Sequence, residues 1–285
     1  MTEKLIITVA LSGGQTKKEA NPAVPYEPAE FAEEAYLAMN EGASIVHIHA
    51  KESKTGNGTM DVQRLRDTIG AIKERCPELI INMSTGSPFD TAEDRIAPVI
   101  DMKPDMASFN TNSMNVGAVN HKTGEIYGES IYEDTCQTMA YFAEEMKNNG
   151  VKPEFEIFDP GGLYNTMIVA KQKDYFDLPM NFQLIYGVLG GMTYNPLLHM
   201  SLVNMLPEGS NYSVCGVGPW QTKIAMLATI TGGHIRVGLE DNIRMPDKEL
   251  AKGNWEQVTW VKQLAQIADR PVATPAESRE ILGLK

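Results

Sequence analysis

Ala43-Ser44-Ile45-Val46-His47-Ile48-His49 reads as a buried β-strand that ends in two imidazoles. Successive side chains on a strand point to opposite faces, so His47 and His49 project one way while Val46 and Ile48 project the other. Helical spacing precedes this strand over Pro28–Glu41 and follows it over Asp61–Arg75. The same alternation runs along the chain. Strands are expected at Leu5–Ala10, Ser44–His49, Leu79–Met83, Met106–Asn110, Glu154–Phe158, Phe182–Val188, Tyr212–Val217 and His234–Val237. Further helices are expected at Thr91–Ile100, Ile131–Asn149, Leu163–Lys171, Pro196–Leu206, Trp220–Thr231 and Lys248–Ala268. Eight β-α units in 285 residues predict an α/β fold: a single (β/α)8 TIM barrel spanning residues 1–285. An open doubly wound sheet is less consistent, because Leu11-Ser12-Gly13-Gly14-Gln15 stands where its Gly-x-Gly-x-x-Gly turn would be. Thr274, Pro275 and Glu277 form a capping-box signature, so Ser278–Leu284 is expected to be a short C-terminal helix packed on the barrel.

A net charge of −12 argues against a nucleic-acid or anionic-membrane surface, and leaves room for a local cationic pocket. Apolar residues at 42% and charged residues at 22% suit a chain with a sizeable core. Cys76, Cys136 and Cys215 are odd in number, far apart and without a Cys-x-x-Cys, which argues against a disulfide framework and fits a reducing cytoplasm. No apolar run approaches a membrane span, and Met1–Val9 lacks the pattern of a secretory signal.

In a barrel the chemistry gathers where strands end and βα loops begin. Two imidazoles converging from one rigid strand make half of a metal site, although a strand histidine is also a common hydrogen-bonded core residue. Glu240, following the last strand, would complete a set of two histidines and one carboxylate with an open position. Ser84-Thr85-Gly86 offers hydroxyls and unblocked N–H groups, suited to a carboxylate or phosphate and equally to an ordinary turn with a helix cap. Arg236 shares a strand face with His234 and needs an acidic partner or an anionic substrate if it points inward. Glu156 and Asp241 are the available partners, and an Arg–Asp pair can serve as a proton-abstracting unit. His121, in the polar loop Asn120–Gly128, and His199, on a helix, are expected to be structural or surface residues. The cysteines lack the cationic context of a nucleophile, and Met192, Met200, Met205 and Met226 read as core filler.

Taken together, Val46–His49, Asn82–Gly86, Lys103–Ala107, Pro153–Glu156 and Thr231–Asn242 resemble the β-keto acid cleavage enzymes over essentially the whole chain. The resemblance implies a (β/α)8 barrel, often a homotetramer, that takes a β-keto acid and acetyl-CoA as co-substrate and yields acetoacetate and an acyl-CoA. It implies a divalent metal, usually Zn2+, held by His47, His49 and Glu240. Arg236 and Asp241 would remove the substrate proton, Glu156 would orient Arg236, and Ser84 would assist acyl or CoA transfer. Thr85 and Gly86 would hold the substrate carboxylate, with Ser108 standing where the family commonly has Thr. Members acting on amino substrates carry an acid where this chain has Gln15, so a neutral or polar substrate tail is expected.

Two other barrel enzymes carry a His-x-His. Amidohydrolases place the pair on the first strand and need later histidines after strands five and six, which are missing. Metal-dependent aldolases or Claisen synthases place it late in the chain, with an early Asp-Arg pair, and neither feature is present. A non-catalytic ligand-binding barrel would have no use for a proton acceptor beside the metal set.

Overall fold

The computed structural model describes residues 4–120 and 123–284. Eight parallel strands close into a barrel: β1 (Ile7–Ala10), β2 (Ile45–Ile48), β3 (Ile80–Met83), β4 (Met106–Asn110), β5 (Lys152–Ile157), β6 (Asn181–Tyr186), β7 (Asn211–Gly216) and β8 (His234–Val237). Each pairs with its sequence neighbours, and β8 closes on β1 with Thr8 opposite Arg236. The helices are α1 (Pro28–Glu41), α2 (Val62–Arg75), α3 (Ala92–Met102), α4 (Cys136–Asn149), α5 (Pro160–Gln172), α6 (Pro196–Met205), α7 (Gln221–Thr231), α8 (Asn254–Ile267) and α9 (Pro275–Leu282).

Strand alternation sorts the core into two layers. Ile7, Val9, Val46, Ile48, Ile81, Phe109, Phe155, Leu184 and Val237 pack outward against Phe31, Ala35, Leu65, Ile72 and Ile96 of the helices. Intervening positions face the barrel interior, and many are polar: Thr8, His47, Asn82, Ser108, Glu154, Gln183 and Arg236 are all buried. Burying polar groups is tolerable only when they are paired. Asn82 accordingly donates to Glu154 (2.5 Å), and Arg236 donates to Gln183 (3.1 Å).

The lower end of the interior is covered by the chain's tail. Ile6, Ile45, Ile80 and Met106 form a separate cluster with Ala273 and Leu282 of the tail. Helix α9 carries the expected capping box, with Thr274 and Glu277 each satisfying the other's backbone N–H. Asn181 and Asn211 donate to the carbonyls of Leu282 and Ile281, tying the helix across the barrel floor.

Four sequence expectations require correction. The helix predicted over Ile131–Asn149 starts only at Cys136, capped by Thr135. Its first residues instead end an antiparallel hairpin of Met114–Asn120 and Glu125–Tyr132. This replaces the polar loop expected from Asn120 to Gly128; Gly124, at φ 75°, lets the chain reverse there, and His121 lies outside the described residues. Helix α8 begins at Asn254, six residues later than predicted from Lys248, because Lys248 adopts φ 78° and Ala251 bonds back to Ile243. Of the four methionines expected in the core, only Met192 is buried; Met200, Met205 and Met226 are exposed on α6 and α7.

Candidate active site

The upper ends of the strands surround a cavity of about 290 Å³. His49, just past the end of β2, lines it, and His47 lies buried behind it on the same face, as the strand period requires, with ring centroids 5.4 Å apart. Glu240 arrives from the loop after β8, its Oε1 at 3.7 Å from His47 Nε2 and 3.6 Å from His49 Nε2. Two glycines permit this approach. A Cβ on Gly13 would lie 2.6 Å from Glu240 Cγ, and one on Gly238 would lie 2.1 Å from the Ala10 carbonyl.

Ligand atoms of His47, His49 and Glu240 all lie within 4.8 Å of one another. His47 Nδ1 and Glu240 Oε2 are buried with no hydrogen-bond partner among the described residues. Burial, and then the nearby Arg236 charge, hold the His47 imidazole well below its ordinary pKa and lower that of His49 to about 3. Both rings are thus neutral near pH 7, the form that donates a lone pair to a cation. Two neutral imidazoles and a carboxylate with an unsatisfied oxygen are a donor set that fits a divalent ion.

Arg236, inward-facing on β8, is the hub of the charged groups. It donates from Nε and Nη2 to the two oxygens of Asp241, both at 2.9 Å, and from Nη2 to Glu240 at 2.6 Å. Glu156, from β5, stands 3.7 Å away. Burial pushes the Glu156 carboxyl up to about 8, opposed by Arg236, and raises Asp241 above the ordinary carboxylate range against the same opposition. Cys215 on β7 lies against Asp241 with its thiol held high by burial, as expected for an inert cysteine.

The remaining residues singled out in the sequence divide. Ser84 and Gly86 line the cavity, and Gln15 stands exposed at its mouth. Thr85 and Ser108 do not line it. They bind each other instead: the Thr85 N–H donates to Ser108 Oγ (3.0 Å) and the Thr85 hydroxyl to the Ser108 carbonyl (2.9 Å). His199 is fully buried between Tyr186 and Thr231, a structural histidine.

Sequence reading missed the hairpin's contribution. Met114 and Val116 form part of the cavity wall with Phe158, Ile185, Val188 and Val217, and Tyr132 ends the hairpin in the same wall. It also missed Lys51, whose buried ammonium donates to the carbonyls of Thr16 (2.7 Å) and Gly56 (3.0 Å) and so pins the loop that carries Gln15. A lysine directly after a buried His-x-His strand was the available signal.

This arrangement has counterparts in known proteins. A 3-keto-5-aminohexanoate cleavage enzyme from Acetoanaerobium sticklandii is 41% identical over 283 residues, covering 99% of each chain. A 3,5-dioxohexanoate:acetyl-CoA acetone transferase from Paraburkholderia graminis is 31% identical, covering 99% of this chain and 96% of the relative. The solved binary complex of ObcA with oxaloacetate superposes with a TM-score of 0.75 over 92% of this chain and 68% of that one, at 20% identity, a likeness of fold. The family profile described as beta-keto acid cleavage enzyme matches residues 4–284, from the strand that opens the barrel to the helix that closes its floor. With a match of that extent, the chain belongs to the beta-keto acid cleavage enzyme family.

Proposed function

We propose that this protein converts a β-keto acid and acetyl-CoA into acetoacetate and the CoA ester of the remaining acyl fragment, and that the keto acid has a neutral or polar tail. The observation that carries the reading is the two-point Arg236–Asp241 pair standing beside the His47, His49 and Glu240 cluster at the wall of one cavity. A divalent cation held by these three side chains, most simply Zn2+, would withdraw electron density from the keto oxygen and acidify the adjacent C–H. Asp241 then takes that proton, with Arg236 fixing its position and Glu156 bracing Arg236 from the other side. The carbanion attacks the acetyl-CoA thioester carbonyl, CoA passes to the acyl carbon of the keto acid, and carbon–carbon cleavage releases acetoacetate. Ser84 faces the reacting groups for the transfer, and Gly86 leaves space for the substrate carboxylate. Thr85 and Ser108 act one step back, by bracing the loop that carries Ser84 and Gly86.

Gln15 supports the reading of the tail. An amide at the mouth cannot neutralise an ammonium group, and the wall beyond it is largely apolar. Exposed Leu197, Met226 and Ile230 on α6 and α7 favour a homo-oligomer, as the resemblance implies. Among the described residues no helix is long and apolar enough to cross a membrane, and all three cysteines are free, which suits a cytoplasmic enzyme.

The test is a panel of β-keto acids with neutral, polar and aminated tails, each assayed with acetyl-CoA for the acyl-CoA product, with and without chelator. Expected are chelator-sensitive acyl-CoA formation and a preference for unaminated tails. Cleavage that proceeds without acetyl-CoA would instead mark a hydrolase or lyase, and a strong preference for the amine would reject the reading of the tail.

A further inference from the structure

Tyr132 closes the hairpin over the cavity and is nine-tenths buried, yet its hydroxyl reaches the cavity wall. What surrounds that oxygen restricts what it can do. Arg95, from α3, donates Nη2–H to it at 2.7 Å. A guanidinium cannot accept a hydrogen bond. The Tyr132 oxygen is therefore occupied as an acceptor, and its own proton is left to point into the cavity.

Arg95 is itself fixed. It grips Asp134 with two nitrogens (2.9 and 3.0 Å) and donates Nε–H to the Thr85 carbonyl (2.7 Å). Asp134 also accepts from Asn110, which lines the cavity. One buried ion pair thus braces both the Ser84–Gly86 loop and the Tyr132 hydroxyl. Ser84 is in a similar state: its Oγ accepts from the Gly86 N–H at 3.0 Å, so its proton too is free to turn outward. The two hydroxyls converge. A point one Cβ away from Gly86 lies 3.3 Å from Ser84 Oγ and 3.6 Å from the Tyr132 oxygen.

We propose that Tyr132 is a substrate-binding residue: its O–H, paired with that of Ser84, donates to the carboxylate of the β-keto acid. Two convergent donors backed by a fixed guanidinium match the two oxygens of a carboxylate. The proposal rests on the functional reading above and adds a contact from the hairpin, a part of the chain outside the motifs that carried that reading.

The probe is acetoacetate, a β-keto acid with the smallest tail, titrated calorimetrically into the metal-loaded protein, with its methyl ester as the uncharged control. Tyr132→Phe should weaken acetoacetate binding roughly ten- to hundredfold, the usual worth of a hydrogen bond to a charged group. Binding of the methyl ester should change less than about threefold between the two proteins. Unchanged acetoacetate binding in the variant, or an equal loss for both ligands, would overturn the assignment. A wild-type protein that fails to bind acetoacetate at all would count against the functional reading, and with it the ligand assigned to Tyr132. Should Tyr132→Phe fold poorly, a crystal structure of the unaltered protein with acetoacetate decides the matter. A carboxylate oxygen within about 3 Å of the Tyr132 oxygen supports the proposal, and one beyond about 4 Å overturns it.

Discussion

Arg236 has five N–H donors in a rigid fork, and Asp241 accepts from two of them at 2.9 Å. The Asp241 carboxylate therefore cannot rotate away between turnovers. Asp241→Asn keeps the shape and removes the base, so kcat should fall by roughly a hundred- to ten-thousandfold. Deuterium exchange at C2 of acetoacetate, followed by NMR with metal-loaded protein in D2O, isolates this step; wild-type exchange in the variant would assign the base elsewhere. Gln15→Glu is the complementary change at the cavity mouth. It should raise kcat/KM for an aminated keto acid by about two- to fivefold relative to an unaminated one, the scale of one exposed charge pair. An unaltered ratio would separate position 15 from tail selection. His47, His49 and Arg236 were legible in the sequence because strand alternation fixes which side chains face inward, and Glu240 because it closely follows the end of the last strand. Thr85 fell on the wrong side of that rule: it follows the inward-facing Ser84, and its hydroxyl is consumed by the Ser108 carbonyl.

Short apolar runs between capped amphipathic segments made the eight strands easy to place in the sequence. The hairpin from Met114 to Tyr132 was not legible, because its strands lie over the barrel and are mostly exposed, so no buried face imposes an alternation. Reading Ile131 and Tyr132 into the next helix hid Tyr132 and Asp134 together. Helix α9 was legible from its cap, but its partner was not: the sequence shows that a helix ends the chain, and only the fold places Leu282 beneath Ile6, Ile45, Ile80 and Met106. Leu282→Ala should cost about 2–4 kcal/mol in urea-induced unfolding while leaving KM for both substrates near wild type. A large KM change with little loss of stability would contradict a purely structural floor.

Over the whole molecule, buried neutral histidines make stability depend on pH. Burial lowers His199 to about 4, and burial with the Arg270 charge lowers His234 to about 3. The unfolded chain binds a proton at each near pH 6.5, whereas the folded protein does not until well below that. Their contribution is therefore complete above about pH 7 and is lost as pH falls from about 6.5 towards 4, by on the order of a few kcal/mol in total. Buried carboxyls with raised values, such as Glu156, act in the opposite direction. A variant comparison separates the two. His199→Asn cannot titrate, and its unfolding free energy between pH 7 and 4.5 should fall less steeply than that of the wild type. Equal slopes would refute the assignment.

The covered floor has a kinetic consequence. The buried interior layer of Thr8, Asn82, Glu154 and Gln183, with α9 beneath it, leaves the cavity to be reached from the upper strand ends, and the proposed reaction brings two reactants of very different size to it. On the proposed reaction the keto acid would sit deep in the cavity, near His49 and Arg236, with acetyl-CoA above it. A nucleotide thioester seated in the mouth would then act as a stopper, and the small acid would have to enter first. Ordered addition, keto acid before acetyl-CoA, is the expected kinetic pattern, and initial-rate kinetics showing random addition would contradict this placement.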